Sequence, residues 1–178
     1  MKVQEFIEYM GKNINATMKD KQILSLAKKQ LEVKKYISIK EKKELVDKII
    51  GQCVYYSNNV FKIDSIDCYI YFTMFTIDAY TSLEIDDAEE SYNMLAESGL
   101  LPVVITALGQ EYHDVNTFLD MKRDEILENN SIEMQLSKFF EAILDKANDL
   151  EEALPEFINN VNVSKDSILK IIKMIAQK

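Results

Sequence analysis

Turn-forming residues are scarce in this chain of 178 residues, which contains only four glycines and two prolines. A fold built from many short strands needs many turns, so this scarcity favours a mostly helical fold over a β-sandwich or a barrel. Four glycines are also too few for most backbone cradles that hold nucleotide phosphates, and no Gly-rich phosphate loop, GxSxG or HExxH motif occurs. The sequence therefore argues against the familiar nucleotide-binding and hydrolytic sites.

Histidine and cysteine are almost as scarce. The one histidine, His113, has no second ligand at helical spacing, so we expect a surface residue and not a metal ligand. The two cysteines, Cys53 and Cys68, lie in apolar surroundings and are not closely spaced, which indicates core thiols in a reducing compartment. The first residues carry charges throughout and lack the apolar core of a signal peptide, which predicts a cytoplasmic protein.

Acidic residues are plentiful, and some of them stand close enough in sequence to suggest Mg²⁺ binding or acid–base catalysis. In a chain with thirty acidic residues, however, such neighbours arise by chance. We therefore predict no enzyme activity, no catalytic residue, no cofactor and no metal site. The pairs in question are Asp64/Asp67, Asp86/Asp87, Asp120/Asp124 and Glu125/Glu128.

Charge is distributed unevenly along the chain, although its net value is −9. Residues 1–50 hold twelve lysines against seven acidic residues, a balance of +5, and residues 51–178 have a balance of −14. An acidic body repels nucleic acid and anionic membranes, and a basic arm can bind the acidic body of a neighbouring copy. Solvated helix faces would explain the same charges, because surface charge also keeps proteins soluble.

The most apolar part of the chain is residues 63–83. Between Cys68 and Ile77 only Thr73 and Thr76 are polar, so a helix there would be apolar on nearly all sides. We interpret it as the buried central helix of an all-α, multi-helix bundle. A membrane span is disfavoured because Asp64, Asp67 and Asp78 lie in or beside the stretch and would be costly in a bilayer.

Before the central helix, apolar spacing predicts helices over residues 3–10, ending at Gly11, and over residues 20–31. Alternation of apolar and polar residues over 33–39 predicts at most one short extended segment. Ser38 and Glu41 have the spacing of a capping box, which starts a helix that we expect to reach about Tyr56, before a turn over residues 57–59.

After the central helix we predict a helix over 88–98 that ends at Gly99, and a short one over 103–108 that begins at Pro102 and ends at Gly109. Further helices are expected over 111–127 and 132–150. The last helix begins after Ser164 and either packs on the core or docks on a partner. The expected division is an N-terminal helical arm (1–31), a helical core domain (32–150), and a linker with the C-terminal helix (151–178).

Four segments carry a resemblance to a known family. They are EVKKYISIKEKKELVDKII, FKIDSIDCYIYFTMFTIDAYTSLEI, LAESGLLPVVITALGQEY and ENNSIEMQLSKF, within residues 32–140. The chain resembles small acidic helical proteins encoded among the virion and assembly genes of tailed bacteriophages of Gram-positive hosts. The positions that match are Tyr36-Ile37, Lys42, Tyr80-Thr81, Gly99-Leu100 and Asn130-Ser131.

This resemblance implies a non-enzymatic structural or assembly protein that contacts other phage proteins and further copies of itself in the capsid, neck or tail. Its place would be the cytoplasm of the bacterial host or the virion. Neither a membrane nor nucleic acid is an expected partner. The acidic body repels both, and no arginine stands among the clustered lysines to contact bases. The alternative is an acidic phage inhibitor that imitates the phosphate backbone and blocks a host defence or nucleic-acid enzyme.

The interaction surface expected from the sequence has a basic part and an acidic part. The basic part is Lys34, Lys35, Tyr36, Lys40, Lys42 and Lys43, and the acidic part is Glu84, Asp86, Asp87, Glu89 and Glu90.

Overall fold

The computed structural model describes residues 1–57 and 60–129. Within them the chain forms seven helices and one two-stranded sheet, which confirms the predicted all-α class. The elements are α1 Val3–Asn13, α2 Asp20–Gln30, α3 Ile39–Cys53, β1 Val54–Ser57, β2 Val60–Ile63, α4 Ser65–Tyr80, α5 Ala88–Glu97, α6 Leu101–Leu108 and α7 Gln110–Asn129.

The chain divides into two compact units. Unit 1 is Met1–Cys53 with Ile63–Lys122, and unit 2 is Val54–Lys62 with Arg123–Lys178. The expected arm, residues 1–31, lies in the same unit as most of the described part of the expected core domain. The predicted helices over 132–150 and after Ser164 lie outside the described residues.

The central element of unit 1 is α4, as the sequence predicts. Asp64 caps its N-terminus, because its carboxylate accepts hydrogen bonds from the backbone N–H groups of Ile66 at 2.9 Å and Asp67 at 3.1 Å. Helices α3, α5 and α6 pack against α4. The side chains that this packing buries are Cys68, Phe72, Thr73, Met74, Thr76, Ile77 and Tyr80.

The two threonines of α4 are buried without losing their hydrogen bonds. The Thr76 hydroxyl donates to the carbonyl oxygen of Phe72 at 2.6 Å, and the Thr73 hydroxyl lies 3.1 Å from that of Tyr112 on α7. Because a buried hydroxyl without a partner is costly, these contacts explain how an almost uniformly apolar helix tolerates them.

Helix α1 runs two residues beyond the predicted end at Gly11 and stops at Asn13. Glycine lowers helix stability but does not by itself end a helix, and here its neighbours Val3, Phe6 and Met10 hold the helix by burying one face. The predicted apolar face of α1 is therefore right and its predicted end is wrong.

Residues 33–39 are not helical until Ile39, but the predicted extended segment forms no strand. The backbone N–H of Lys34 instead donates to the carbonyl oxygen of Tyr80 at 2.8 Å, and that of Ser82 donates to Leu31 at 2.8 Å. The segment thus uses the C-terminal end of α4 as its hydrogen-bond partner, with Ile37 buried. Apolar alternation indicates an extended backbone and does not identify what the backbone pairs with.

The strands of the described residues lie in the hairpin β1–β2, where the sequence analysis expected the end of a helix and a turn. Helix α3 ends at Cys53 instead of Tyr56. The missed signal is a run of β-branched and aromatic residues on each side of two asparagines, a pattern typical of a hairpin. Asn58 and Asn59, most of the predicted turn, lie outside the described residues.

The corner between α5 and α6 follows the prediction closely. Gly99 and Gly109 have φ angles of +71° and +61°, in the region that favours glycine, and Pro102 lies in the first turn of α6. Among the described residues, no helix combines the length and apolarity needed to cross a membrane.

Candidate interaction surface

The capping box at Ser38 positions the basic part of the predicted surface. The Glu41 carboxylate accepts from the backbone N–H of Ser38 at 2.7 Å, and the Ser38 hydroxyl accepts from the backbone N–H of Glu41 at 3.2 Å. Hydrogen bonding to Ser38, through its side chain and its backbone, lowers the pKa of Glu41. This confirms the predicted start of α3, which fixes the orientation of Ile39, Lys40, Lys42 and Lys43.

Lys42 does not belong to the surface, contrary to the prediction. Its side chain is only 3% exposed, and its Nζ lies 2.9 Å from Oε2 of Glu111 and 3.9 Å from Oδ2 of Asp114. The same ammonium stands 4.9 Å from the centre of the Tyr36 ring, in a cation–π contact. The sequence analysis placed Lys42 on the surface with the neighbouring lysines, but the carboxylates of α7 provide the charge that allows its burial.

Tyr80, at the end of α4, contacts the same Glu111 carboxylate as Lys42. Its hydroxyl donates a hydrogen bond to Oε2 of Glu111 at 2.6 Å. Burial, together with the adjacent Glu111 carboxylate, raises the pKa of Tyr80. The Lys42 cluster, which we define as Lys42, Tyr36, Tyr80, Glu111 and Asp114, therefore joins α3, α4 and α7 through charged and polar contacts.

Tyr112 lies beside the cluster residues on α7, with its ring 4.7 Å from that of Phe72. Burial raises the pKa of Tyr112 to about 12, and the hydrogen bond with Thr73 opposes part of that shift. The sequence analysis missed Tyr80, Glu111 and Asp114. A carboxylate in the first turn of a helix, such as Glu111, is ordinary on account of the helix dipole, and Asp114 lies one turn further along, so nothing in the sequence linked either to Lys42.

The remaining residues of the basic part stay at the surface. Lys34 donates from Nζ to the carbonyl oxygen of Ala79 at 2.8 Å, and Lys40 pairs with Glu44 at 3.7 Å. Two large side chains are exposed among the lysines, since Tyr36 is 58% and Ile39 is 49% exposed. We define the basic face as Lys34, Lys35, Tyr36, Ile39, Lys40 and Lys43.

The acidic part surrounds the N-terminus of α5. The Asp87 carboxylate caps this helix by accepting from the backbone N–H of Glu90 at 2.8 Å. Asp86 pairs with Lys2, and this hydrogen bond raises the pKa of the Lys2 ammonium. Glu84 lies 3.5 Å from the ammonium of Met1. Three of the five predicted acidic residues therefore have partners in the same chain.

Two neighbouring recesses follow this part of the surface. One, of about 210 Å³, lies between α1, the loop before α5 and α5, and the other, of about 360 Å³, runs along α5. Both are lined by Asp87, Glu90 and Met94, so an apolar side chain lies among carboxylates. We define the acidic face as Glu84, Asp86, Asp87, Glu89, Glu90, Met94 and Glu97.

Nothing in the described part of the chain forms a group of three or more histidine, cysteine or carboxylate residues that could hold a metal ion. His113 is exposed on α7, and Cys53 and Cys68 are buried in the core, as predicted. Asp64 and Asp87, each a member of a predicted carboxylate pair, cap α4 and α5. The arrangement of charged groups in unit 1 is suited to holding helices together and to contacting other molecules.

Comparison of the chain with protein-family models, with curated proteins and with solved structures gives no match.

Proposed function

We propose that this protein is a non-enzymatic structural or assembly protein of a tailed bacteriophage, and that it acts through protein–protein contacts in the capsid, neck or tail. The observation that carries this proposal is the presence on unit 1 of a basic and an acidic face. Each combines exposed charges with large apolar side chains: Tyr36 and Ile39 are exposed on the basic face, and Met94 is half-buried on the acidic face.

Faces of this composition suit protein partners better than small molecules. Aromatic residues and methionine are enriched in the cores of protein interfaces, and a charged rim favours specificity and fast association. The recess along α5 is open and lined mostly by carboxylates, whereas small-molecule sites are mostly concave and apolar. The resemblance of residues 32–140 to phage assembly proteins supports the same class of function.

The acidic inhibitor of a host enzyme is the alternative, and the contacts of the acidic face weaken it. Imitation of a phosphate backbone needs a continuous row of available carboxylates. Here the carboxylates of Glu84 and Asp86 pair with the N-terminal residues, and that of Asp87 caps α5. The acidic face accordingly offers fewer available charges than its sequence suggests.

Mass spectrometry of purified virions of the phage that encodes the chain tests the proposal, together with a pull-down from infected cells at low and raised salt. We expect the chain in virions, or in complexes with capsid, neck or tail proteins that survive raised salt. Capture of a host nucleic-acid enzyme, lost steeply as salt screens the charges, would favour the inhibitor instead.

A further inference from the structure

The basic face carries two large apolar side chains, Tyr36 and Ile39, each about half exposed. Tyr36 and Ile39 are among the most exposed large hydrophobic side chains of unit 1. The Tyr36 ring is nevertheless held in place, because the buried Lys42 ammonium lies 4.9 Å from its centre. A pre-positioned aromatic side chain loses little conformational entropy on binding, which is what an interface anchor requires.

The lysines around this pair determine what can cover it. Lys35 and Lys43 are exposed, so an occupant must bring negative charge to the rim and an apolar group to the centre. The acidic face of the same protein has that composition. Met94 is its half-buried apolar side chain, and the carboxylates of Glu90 and Glu97 are exposed on either side of Met94 along α5.

We propose that the basic face of one copy docks on the acidic face of a second copy, with Tyr36 and Ile39 placed against Met94. This inference rests on the proposed function, since it names the partner through which the assembly protein builds larger structures. Thioether–aromatic contact would stabilise the centre, and the lysines would pair with Glu90 and Glu97 at the rim.

The two faces differ, so the contact is heterologous. Each copy that joins leaves one basic face and one acidic face free, which produces rings if the rotation closes and open chains if it does not. An interface of this kind is small and charged, so we expect weak binding that depends on salt. The screening length falls from about 10 Å at 0.1 M salt to about 3 Å at 1 M.

Sedimentation velocity of the full chain tests the proposal, with circular dichroism to establish that each variant folds. One variant neutralises the basic rim with Lys35→Gln and Lys43→Gln, and another neutralises the acidic rim with Glu90→Gln and Glu97→Gln. The control, Lys12→Gln with Lys21→Gln, removes two exposed lysines of α1 and α2 that belong to neither face.

We expect the unmodified chain and the control to associate at low salt and to dissociate at high salt. Each rim variant alone should bind itself about tenfold more weakly. The decisive sample is a mixture of the two rim variants. One intact basic face and one intact acidic face remain in it, so at concentrations at which neither variant associates alone the mixture should form a one-to-one pair.

A chain that stays monomeric at low salt, or a mixture that associates no better than either variant alone, would overturn the proposal. Association unaffected by both rim variants would do so as well. The proposed function fails separately, because it depends on the presence of the protein in virions or phage assembly complexes and not on contact between copies.

Discussion

Replacement of Lys42 by methionine tests whether the Lys42 cluster stabilises the fold. The substitution keeps a side chain of similar length and removes the charge that faces Glu111 at 2.9 Å. Loss of one partner from a buried ion pair costs about 3–5 kcal/mol, because the other charge stays in a poorly solvated place. Glu111 still accepts the hydrogen bond from Tyr80, and its side chain is 15% exposed. We therefore expect a loss at the lower end of this range, about 3 kcal/mol.

Equilibrium unfolding in urea, followed by circular dichroism, measures this loss. In thermal unfolding of a chain of this size, a loss of about 3 kcal/mol corresponds to a fall in Tm of roughly 6–12 °C. The matched control is Lys40→Met, two residues earlier on the same helix. Lys40 and Glu44 are 86% and 64% exposed, so their pair should contribute no more than about 0.5 kcal/mol.

The double variant Lys42→Met with Glu111→Gln separates a lost ion pair from a lost packing contact. Glutamine retains an oxygen that accepts from Tyr80 and carries no buried charge, so the double variant should be more stable than Lys42→Met alone by about 1–2 kcal/mol. Equal effects of Lys42→Met and Lys40→Met, or a double variant less stable than Lys42→Met alone, would refute the reasoning.

Three further predictions concern local features of unit 1. Ser38→Ala should lower the free energy of unfolding in urea by about 1 kcal/mol, because it removes the side-chain cap of α3. Ser38→Asp, whose carboxylate restores the hydrogen-bond acceptor, should show no such loss. Tyr80→Phe should change how the free energy of unfolding responds to alkaline pH, because the folded state keeps the Tyr80 proton above the ordinary tyrosine pKa of about 10, and the native chain therefore loses stability as pH rises from there. Urea unfolding between pH 8 and 11 should show a shallower loss of stability for the variant, and an equal slope would contradict the raised pKa. Gly11→Ala should raise the free energy of unfolding by about 0.5–1 kcal/mol, because Gly11 lies inside α1 and an added Cβ would have no atom within 4 Å. Gly109→Ala should lower it by about 1–2 kcal/mol, because its φ of +61° is strained for alanine, and effects of the same sign would contradict these backbone conformations.

Local chemistry in the sequence predicted those features that depend on neighbouring residues. The capping box at Ser38 and the glycine at 99 each act within a few positions, and both are confirmed. The central helix was predictable for a similar reason, since an apolar run must be surrounded by other elements wherever they come from.

Features that depend on distant residues were predicted less well. Burial of Lys42 requires Glu111, which is 69 positions away, and no periodicity connects the two. The connector after α2 was predicted as extended, but its partner proved to be the end of α4. The acidic residues were predicted as a free surface, whereas the N-terminal residues pair with Asp86 and Glu84. Long-range electrostatic pairing is therefore what a sequence pattern leaves undetermined here.

The short stretch from Tyr80 to Glu84 brings together parts of the chain that are far apart in sequence. It hydrogen-bonds through its backbone to Leu31 and Lys34 on one side and to Met1 on the other. Each of these contacts closes a long loop, so its entropic cost must be met before its hydrogen bonds can form. We infer that α3 and α4, which are neighbours in the chain, associate early in folding, and that the N-terminal segment joins them late. Destabilising changes in residues 1–3 should accordingly accelerate unfolding and leave the folding rate almost unchanged.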